Sequence, residues 1–187
     1  MRDDAAAIRA LLAKGAKIDA RDGNGRTALL IATRGDKIGA AKALIEAGAD
    51  VNAKDDILDS SYLEAGALGH LEILKMTLRH GADLKSTNRY GGTALIPASE
   101  RGHVETVRAL IGAGVDVDHV NNLGWTALLE AIILGDGGEA HQQIVQLLID
   151  AKANVNLADR YNVTPLRHAH ARGFTKIEQI LRAAGGH

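Results

Sequence analysis

The 187-residue sequence contains no cysteine. That removes disulfides, thiolate nucleophiles and cysteine-ligated zinc from consideration. Proline occurs only 2 times, and aromatics make up 3% of the chain. No run approaches the roughly 20 apolar residues that cross a bilayer. The start, Met1-Arg2-Asp3-Asp4, lacks the basic and then apolar pattern of a secretion signal. Neither sign of charge dominates: 22 basic and 23 acidic residues leave a formal net charge of -1. A dedicated nucleic-acid face or a polybasic membrane anchor would need a basic excess, so neither nucleic acid nor membrane is expected as a partner. The cytoplasm is the expected compartment, and the periplasm stays open if an upstream segment has been removed.

The chain does hold 46% hydrophobic residues and 21 glycines, and the glycines recur at fixed spacing. Thr27-Ala28-Leu29, Ser60-Ser61-Tyr62, Thr93-Ala94-Leu95, Thr126-Ala127-Leu128 and Thr164-Pro165-Leu166 align, with first residues separated by 33, 33, 33 and 38. Ala32, Ala65, Ala98, Ala131 and Ala169 follow each by five positions, and Asp22, Asp55, Asn88, Asn121 and Asp159 precede each by five. Gly15, Gly48, Gly81, Gly114, Lys152 and Gly185 keep the same spacing. A repeat of this period implies a solenoid in which each unit buries its apolar face against its neighbours.

Each class of position has a physical reading. Thr or Ser opens a helix by accepting from an orphan backbone N–H. The alanine lets the next helix come close. Apolar residues at helical spacing, such as Val104, Val107, Leu110 and Ile111, form a second helix. The glycine then ends that helix in the left-handed conformation, and a short extended finger leads to the next Asp or Asn.

These motifs resemble the ankyrin family, whose pattern is Asp-x-x-Gly-x-Thr-Pro-Leu-His-x-Ala, then Gly-His, then Gly-Ala-Asp-Val-Asn. The matching residues are Asp22, Gly25-Arg26-Thr27, Thr164-Pro165-Leu166, Gly69-His70, Gly102-His103 and Gly48-Ala49-Asp50-Val51-Asn52. Asn88-Arg89-Tyr90-Gly91-Gly92-Thr93 and Gly124-Trp125-Thr126 look closest to the small stand-alone ankyrin proteins of bacteria. The resemblance covers essentially the whole chain. It implies an all-α repeat solenoid of helix-turn-helix units with β-turn fingers, in a single domain over 1–187. The expected units are a half repeat at 1–21 and repeats at 22–54, 55–87, 88–120, 121–158 and 159–187. Departures are visible. The family histidine is replaced by Leu30, Leu63, Ile96, Leu129 and Arg167, Leu58 stands at a turn glycine, and the fourth repeat carries five extra residues, best placed at 136–140 between its helices. Counting back from Gly15 puts an outer helix at about residues 3–14 with no inner helix before it. Loss of an upstream helix, or self-association through this uncapped edge, is the expectation.

The resemblance also implies a concave binding surface of finger tips and inner helices. Tyr90, Trp125 and Tyr161 are three of only five aromatics, and all fall on fingers. Trp, Tyr and Arg are the residue types enriched at binding hot spots; the competing reading of each ring is packing across the neighbouring finger, which stiffens the stack. The candidate partner-binding residues are Asp56, Asp59, Arg89, Tyr90, Glu100, Arg101, Asn122, Trp125, Arg160 and Tyr161, centred on repeats three to five. Glu64 and Glu130 stand where aliphatic residues are usual and should be partly buried charges that need partners. His168, one repeat on, is within reach of Glu130.

Catalysis finds little support. Two repeats separate Glu64 from Glu130, roughly 16–20 Å at the usual 8–10 Å between stacked helices, and paired-carboxylate hydrolases need about 5–9.5 Å. The eight histidines are scattered, and His168 and His170 point in different directions on one helix. Gly91-Gly92 and Gly137-Gly138 lack the Lys-Ser/Thr of a phosphate loop. No metal or cofactor is expected, and the chain reads as a non-enzyme. The leading reading is a module that binds another protein. The alternative is a regulatory subunit or small-ligand binder with a pocket near Trp125 and Glu130.

Overall fold

The structure, a computed structural model, describes residues 3–187. After α1 (Ala5–Ala13) the helices come in pairs: α2 (Ala28–Arg34) with α3 (Ile38–Glu46), α4 (Ser61–Leu68) with α5 (Leu71–Arg79), and α6 (Leu95–Glu100) with α7 (Val104–Ala113). Two further pairs follow, α8 (Ala127–Ile133) with α9 (Glu139–Asp150) and α10 (Pro165–Ala171) with α11 (Thr175–Ala183). Each pair is antiparallel in sense because its connection is short. The even-numbered helices stack on one another as an inner layer, while α1, α3, α5, α7, α9 and α11 stack as an outer layer. Among the described residues no strand forms beyond one isolated antiparallel bridge, Arg21 to Thr27, at the base of the first finger.

The core is one continuous band between the layers. Ala32, Ala65, Ala98, Ala131 and Ala169 are all fully buried, which is why the inner helices approach closely. Leu29, Tyr62, Leu95, Leu128 and Leu166 fill the band from the inner side, and Ile73, Leu74, Val107, Leu110, Ile144 and Leu148 from the outer.

Four of the five inner helices open as the sequence predicts. The hydroxyls of Thr27, Ser60, Thr126 and Thr164 accept from the backbone N–H of Leu30, Leu63, Leu129 and Arg167 at 3.2, 3.3, 3.2 and 3.4 Å. Thr93 is the exception. Elsewhere the capping residue's carbonyl accepts the N–H four residues on, but Pro97 has no N–H to give. The Thr93 carbonyl accepts from Ile96 at 3.2 Å instead, Ala94 is drawn into helical geometry, and the Thr93 hydroxyl is buried without a partner.

The outer helices end at residues with positive φ: Gly15, Gly48, Gly81, Gly114 and Gly185, with Lys152 taking the same conformation at φ 71°. The fourth repeat's extra residues do not all form a loop. Glu139 and Ala140 join α9, which reaches 12 residues where the other outer helices have 9 or 10. The remaining loop is held from three sides. Asp136 pairs with His141 at 2.8 Å, the other ring nitrogen of His141 meets the Glu100 carbonyl at 2.9 Å, and Arg172 donates to the carbonyls of Ile133 and Gly135, both at 2.8 Å. Gly137 lies so close to the Phe174 ring that a Cβ there would sit 2.5 Å from it.

At the N-terminal edge, α1 packs against α3, its own start capped by Asp4, while the Asp3 carboxylate accepts from the Ala40 N–H at 2.7 Å. Leu11 on α1 is exposed.

Candidate partner-binding face

Every finger is built on the same side-chain turn. The Oδ1 of Asp22, Asp55, Asn88, Asn121 and Asp159 each accepts two backbone N–H bonds, from the residues two and four positions on. This arrangement is the reason that Asp or Asn is needed there, since the short side chain closes the turn on itself. Neighbouring fingers are stitched by the Asp56 N–H donating to the Asn24 carbonyl and by Asn122 donating to the Tyr90 carbonyl.

The turn aims the residue two positions after each Asp or Asn outward. In four consecutive fingers that residue is apolar or aromatic: Ile57, Tyr90, Leu123 and Tyr161, exposed by 45, 53, 43 and 78%. Tyr90 and Tyr161 were expected there. Ile57 and Leu123 were not among the candidates, although the repeat alignment places them in the same column as the tyrosines. Trp125 sits differently. It is half-buried, and its backbone is tied to Asn121 in both directions, so it belongs to the finger's wall rather than to the exposed tip.

Behind the fingers lies a depression of about 410 Å³. Its lining comes from four consecutive repeats, from Arg34 on α2 to Leu134 beyond α8, which makes it an open trough across the inner helices. Arg89, Tyr90, Glu100 and Arg101 of the candidate residues line it, together with Asp59. Arg160, Tyr161 and Trp125 do not, so the trough is centred on the third repeat, nearer the N-terminus than the sequence suggests. Asp56 and Asn122 are exposed on the tips, and Arg160 donates to the Asn122 carbonyl.

The ionic groups of the trough divide into two sets. At its N-terminal end Arg34 gathers three carboxylates: Glu64 at 2.7 Å, Asp55 at 3.2 Å and Asp59 at 3.3 Å. Arg89 reaches Asp59 at 3.6 Å and lies over the Tyr90 ring, its guanidinium carbon 4.7 Å from the centroid. Asp59, a candidate for partner contact, is thus buried and paired. Burial pushes its carboxyl above the ordinary range, and Glu64 and Asp55 add to that push.

At the other end stand Glu130 and Glu100. Glu130 is 5% exposed, and burial, reinforced by Glu100, raises its pKa from 4.5 to about 7. Its partner is Asn121, whose side-chain N–H donates to it at 2.7 Å. His168 does not pair with Glu130. It bonds to Asp159 at 2.9 Å, because the inner helix brings the residue nine positions after the finger's Asp or Asn back against that residue within one repeat. The same relation joins Asn121 to Glu130. The sequence carries this signal as a nine-residue offset, 121 to 130 and 159 to 168, which reading across repeats overlooks. Arg101, in the same trough, donates to the Ala67 carbonyl at 2.6 Å and pulls the Glu130 carboxyl slightly back down. No group of three or more metal-ligating side chains is found among the described residues, and no helix there is long and apolar enough to cross a membrane.

Comparison with known proteins agrees with this architecture. Residues 1–55 and 63–159 match the family described as ankyrin repeats in three copies. A putative ankyrin repeat protein, YahD, of Escherichia coli K12 is 54% identical over 56 residues, a stretch that spans 30% of this chain and 28% of that protein. The crystal structure of an ankyrin repeat domain, ABAYE2397, from Acinetobacter baumannii AYE superposes with a TM-score of 0.96 at 66% identity, covering 99% of this chain and 94% of that one. EF0377, an ankyrin repeat protein, superposes with a TM-score of 0.92 at 42% identity over 96% of this chain and 92% of its own. Ankyrin repeats serve in general as protein–protein interaction modules. The chain belongs to the ankyrin-repeat family, and its fold is that of the bacterial ankyrin-repeat domains.

Proposed function

We propose that this chain is a non-enzymatic interaction module whose partner protein lies along the finger tips and the trough behind them. The observation that carries the reading is the exposed row Ile57, Tyr90, Leu123 and Tyr161. Fold stability does not require apolar side chains at these tips. Four in register, one per finger, supply the water-excluding centre that a protein interface needs. Asp56, Arg89, Asn122 and Arg160 flank the row as polar rim, and Glu100 and Arg101 stand at the trough. Trp125 supports the surface from within the finger wall.

The test is a capture experiment from the source cell's extract with wild-type protein and an Ile57→Ser/Tyr90→Ala/Leu123→Ser/Tyr161→Ala variant. The wild type is expected to retain a partner that the variant loses, with both proteins folded by circular dichroism. Equal retention by the two would reject this surface.

A small-ligand site is the second reading. It draws on the trough's volume and on Glu130, but Trp125 lies outside the lining and the trough is open along its length.

A further inference from the structure

We infer that the C-terminal end of the trough, between Glu100 and Glu130, receives a lysine or arginine side chain from the partner's segment that covers the finger row. The inference rests on the interaction reading and adds to it the chemistry of one contact.

Three observations carry it. First, two of the trough's three cations are committed to carboxylates. Arg34 serves Asp55, Asp59 and Glu64, and Arg89 serves Asp59, while Arg101 donates to the Ala67 carbonyl and acts on Glu130 without an ion pair. Second, among the described residues Glu100 and Glu130 form no ion pair; Glu100 has no side-chain hydrogen bond, and Glu130 has only the one from Asn121 through Oε1. Third, both line the trough, one half-buried and the other nearly fully so, beside Ile96, Leu123 and Leu134. Glu100 acts on Glu130 across this partly desolvated trough; the two acids repel when both are ionised, and the cost falls when a cation enters beside them. Leu123 and Leu134 offer apolar surface to the methylene stem of such a side chain, which buries its stem while its head finds the charge.

An anionic guest is disfavoured because the two acids without an ion pair, Glu100 and Glu130, outnumber the one such guanidinium, Arg101. A second copy of this chain and a small free amine are the other occupants, and the experiment separates them.

A random peptide library displayed on phage is selected against the folded, full-length chain. The expected result is a set of peptides with a lysine or arginine beside apolar residues. For a representative peptide, changing that basic residue to glutamine should weaken binding about 10- to 100-fold, in the range of charged contacts at interfaces. Glu100→Gln/Glu130→Gln should weaken the parent peptide similarly and should leave the glutamine peptide unaffected. Glu100→Gln alone should weaken the parent peptide in the same direction. It alters a half-buried group without an internal partner, so it keeps the test valid if the double variant folds poorly.

Peptides that depend on Tyr90 and Leu123 but show no basic preference, or a basic preference indifferent to Glu100 and Glu130, overturn the inference and leave the interaction surface standing. No selection over a Tyr90→Ala/Leu123→Ser variant overturns both. Saturable binding of n-butylamine at the two glutamates with no peptide bound assigns the site to a small amine. Self-association that the double variant abolishes, seen by sedimentation, assigns it to a second copy. Either of these last results also overturns the inference.

Discussion

The Asn121 side-chain amide nitrogen donates to the Glu130 carboxylate at 2.7 Å, while the Oδ1 of the same amide accepts from the N–H groups of Leu123 and Trp125. One side chain therefore fixes a finger and satisfies a buried acid on the helix behind it. Asp159 and His168 do the same job in the last repeat with the charges rearranged. Asn121→Asp would place a second carboxylate against Glu130 and remove its donor. We expect a loss of about 1–3 kcal/mol at pH 8, read from urea unfolding. Adding Glu130→His copies the Asp159–His168 pair and is expected to recover most of the loss. Failure of the double variant to recover any stability would show that the two residues are not coupled.

Glu130 also predicts a pH dependence. Its carboxyl titrates at about 7 in the folded protein against an ordinary value of 4.5. Well below pH 4.5 both states are protonated and Glu130 makes no difference. Between 4.5 and 7 the unfolded chain ionises first, so the folded state loses stability as pH rises, and above 7 the loss is complete. Glu130→Gln removes this dependence. The stability difference, variant minus wild type, should rise by roughly 2–3 kcal/mol from pH 4.5 to pH 8. A constant difference would contradict the raised pKa.

Arg34 is the hub of three carboxylates that come from the next repeat. Arg34→Gln leaves Asp55 and Glu64 without a cation and Asp59 with Arg89 alone. The expected cost is about 2–4 kcal/mol at neutral pH, smaller at acid pH, where Asp59, held above the ordinary carboxylate range by burial, protonates. Equal cost at both pH values would mean that packing, not charge, is what Arg34 contributes.

Leu58 occupies the left-handed turn position with φ 67°, which Gly25, Gly91 and Gly124 fill in other fingers. A side chain there costs about 1–2 kcal/mol, part of which glycine returns as unfolded-state entropy. Leu58→Gly should therefore stabilise the chain by about 0.5–1 kcal/mol in thermal or urea unfolding. A destabilised variant would show that the Leu58 side chain makes contacts worth more than its strain.

Much of this molecule is legible in its sequence for a local reason. A threonine cap acts three residues ahead, an Asp or Asn turn acts two and four residues ahead, and a helix-ending glycine acts within one turn. Such interactions repeat wherever their residues repeat, so period and residue type together define the helices and fingers. Thr93 shows the limit, because Pro97 cancels a cap that the threonine alone announces. The finger row was half legible: the tyrosines stand out as aromatics, whereas Ile57 and Leu123 are ordinary aliphatics that only their shared column with the tyrosines marks, and whose exposure the structure shows.

The sequence by itself determined the stack, the register of its repeats and the outward column of each finger, since all follow from short-range hydrogen bonding and from apolar faces that only a neighbour can bury. Tertiary structure decided which charges meet. Arg34 finds Glu64 30 residues away, His168 turns to Asp159 rather than Glu130, and Asp59 is buried between Arg34 and Arg89. Coulombic and desolvation energies depend on distances of a few ångströms and on burial, and neither quantity exists until the repeats are stacked.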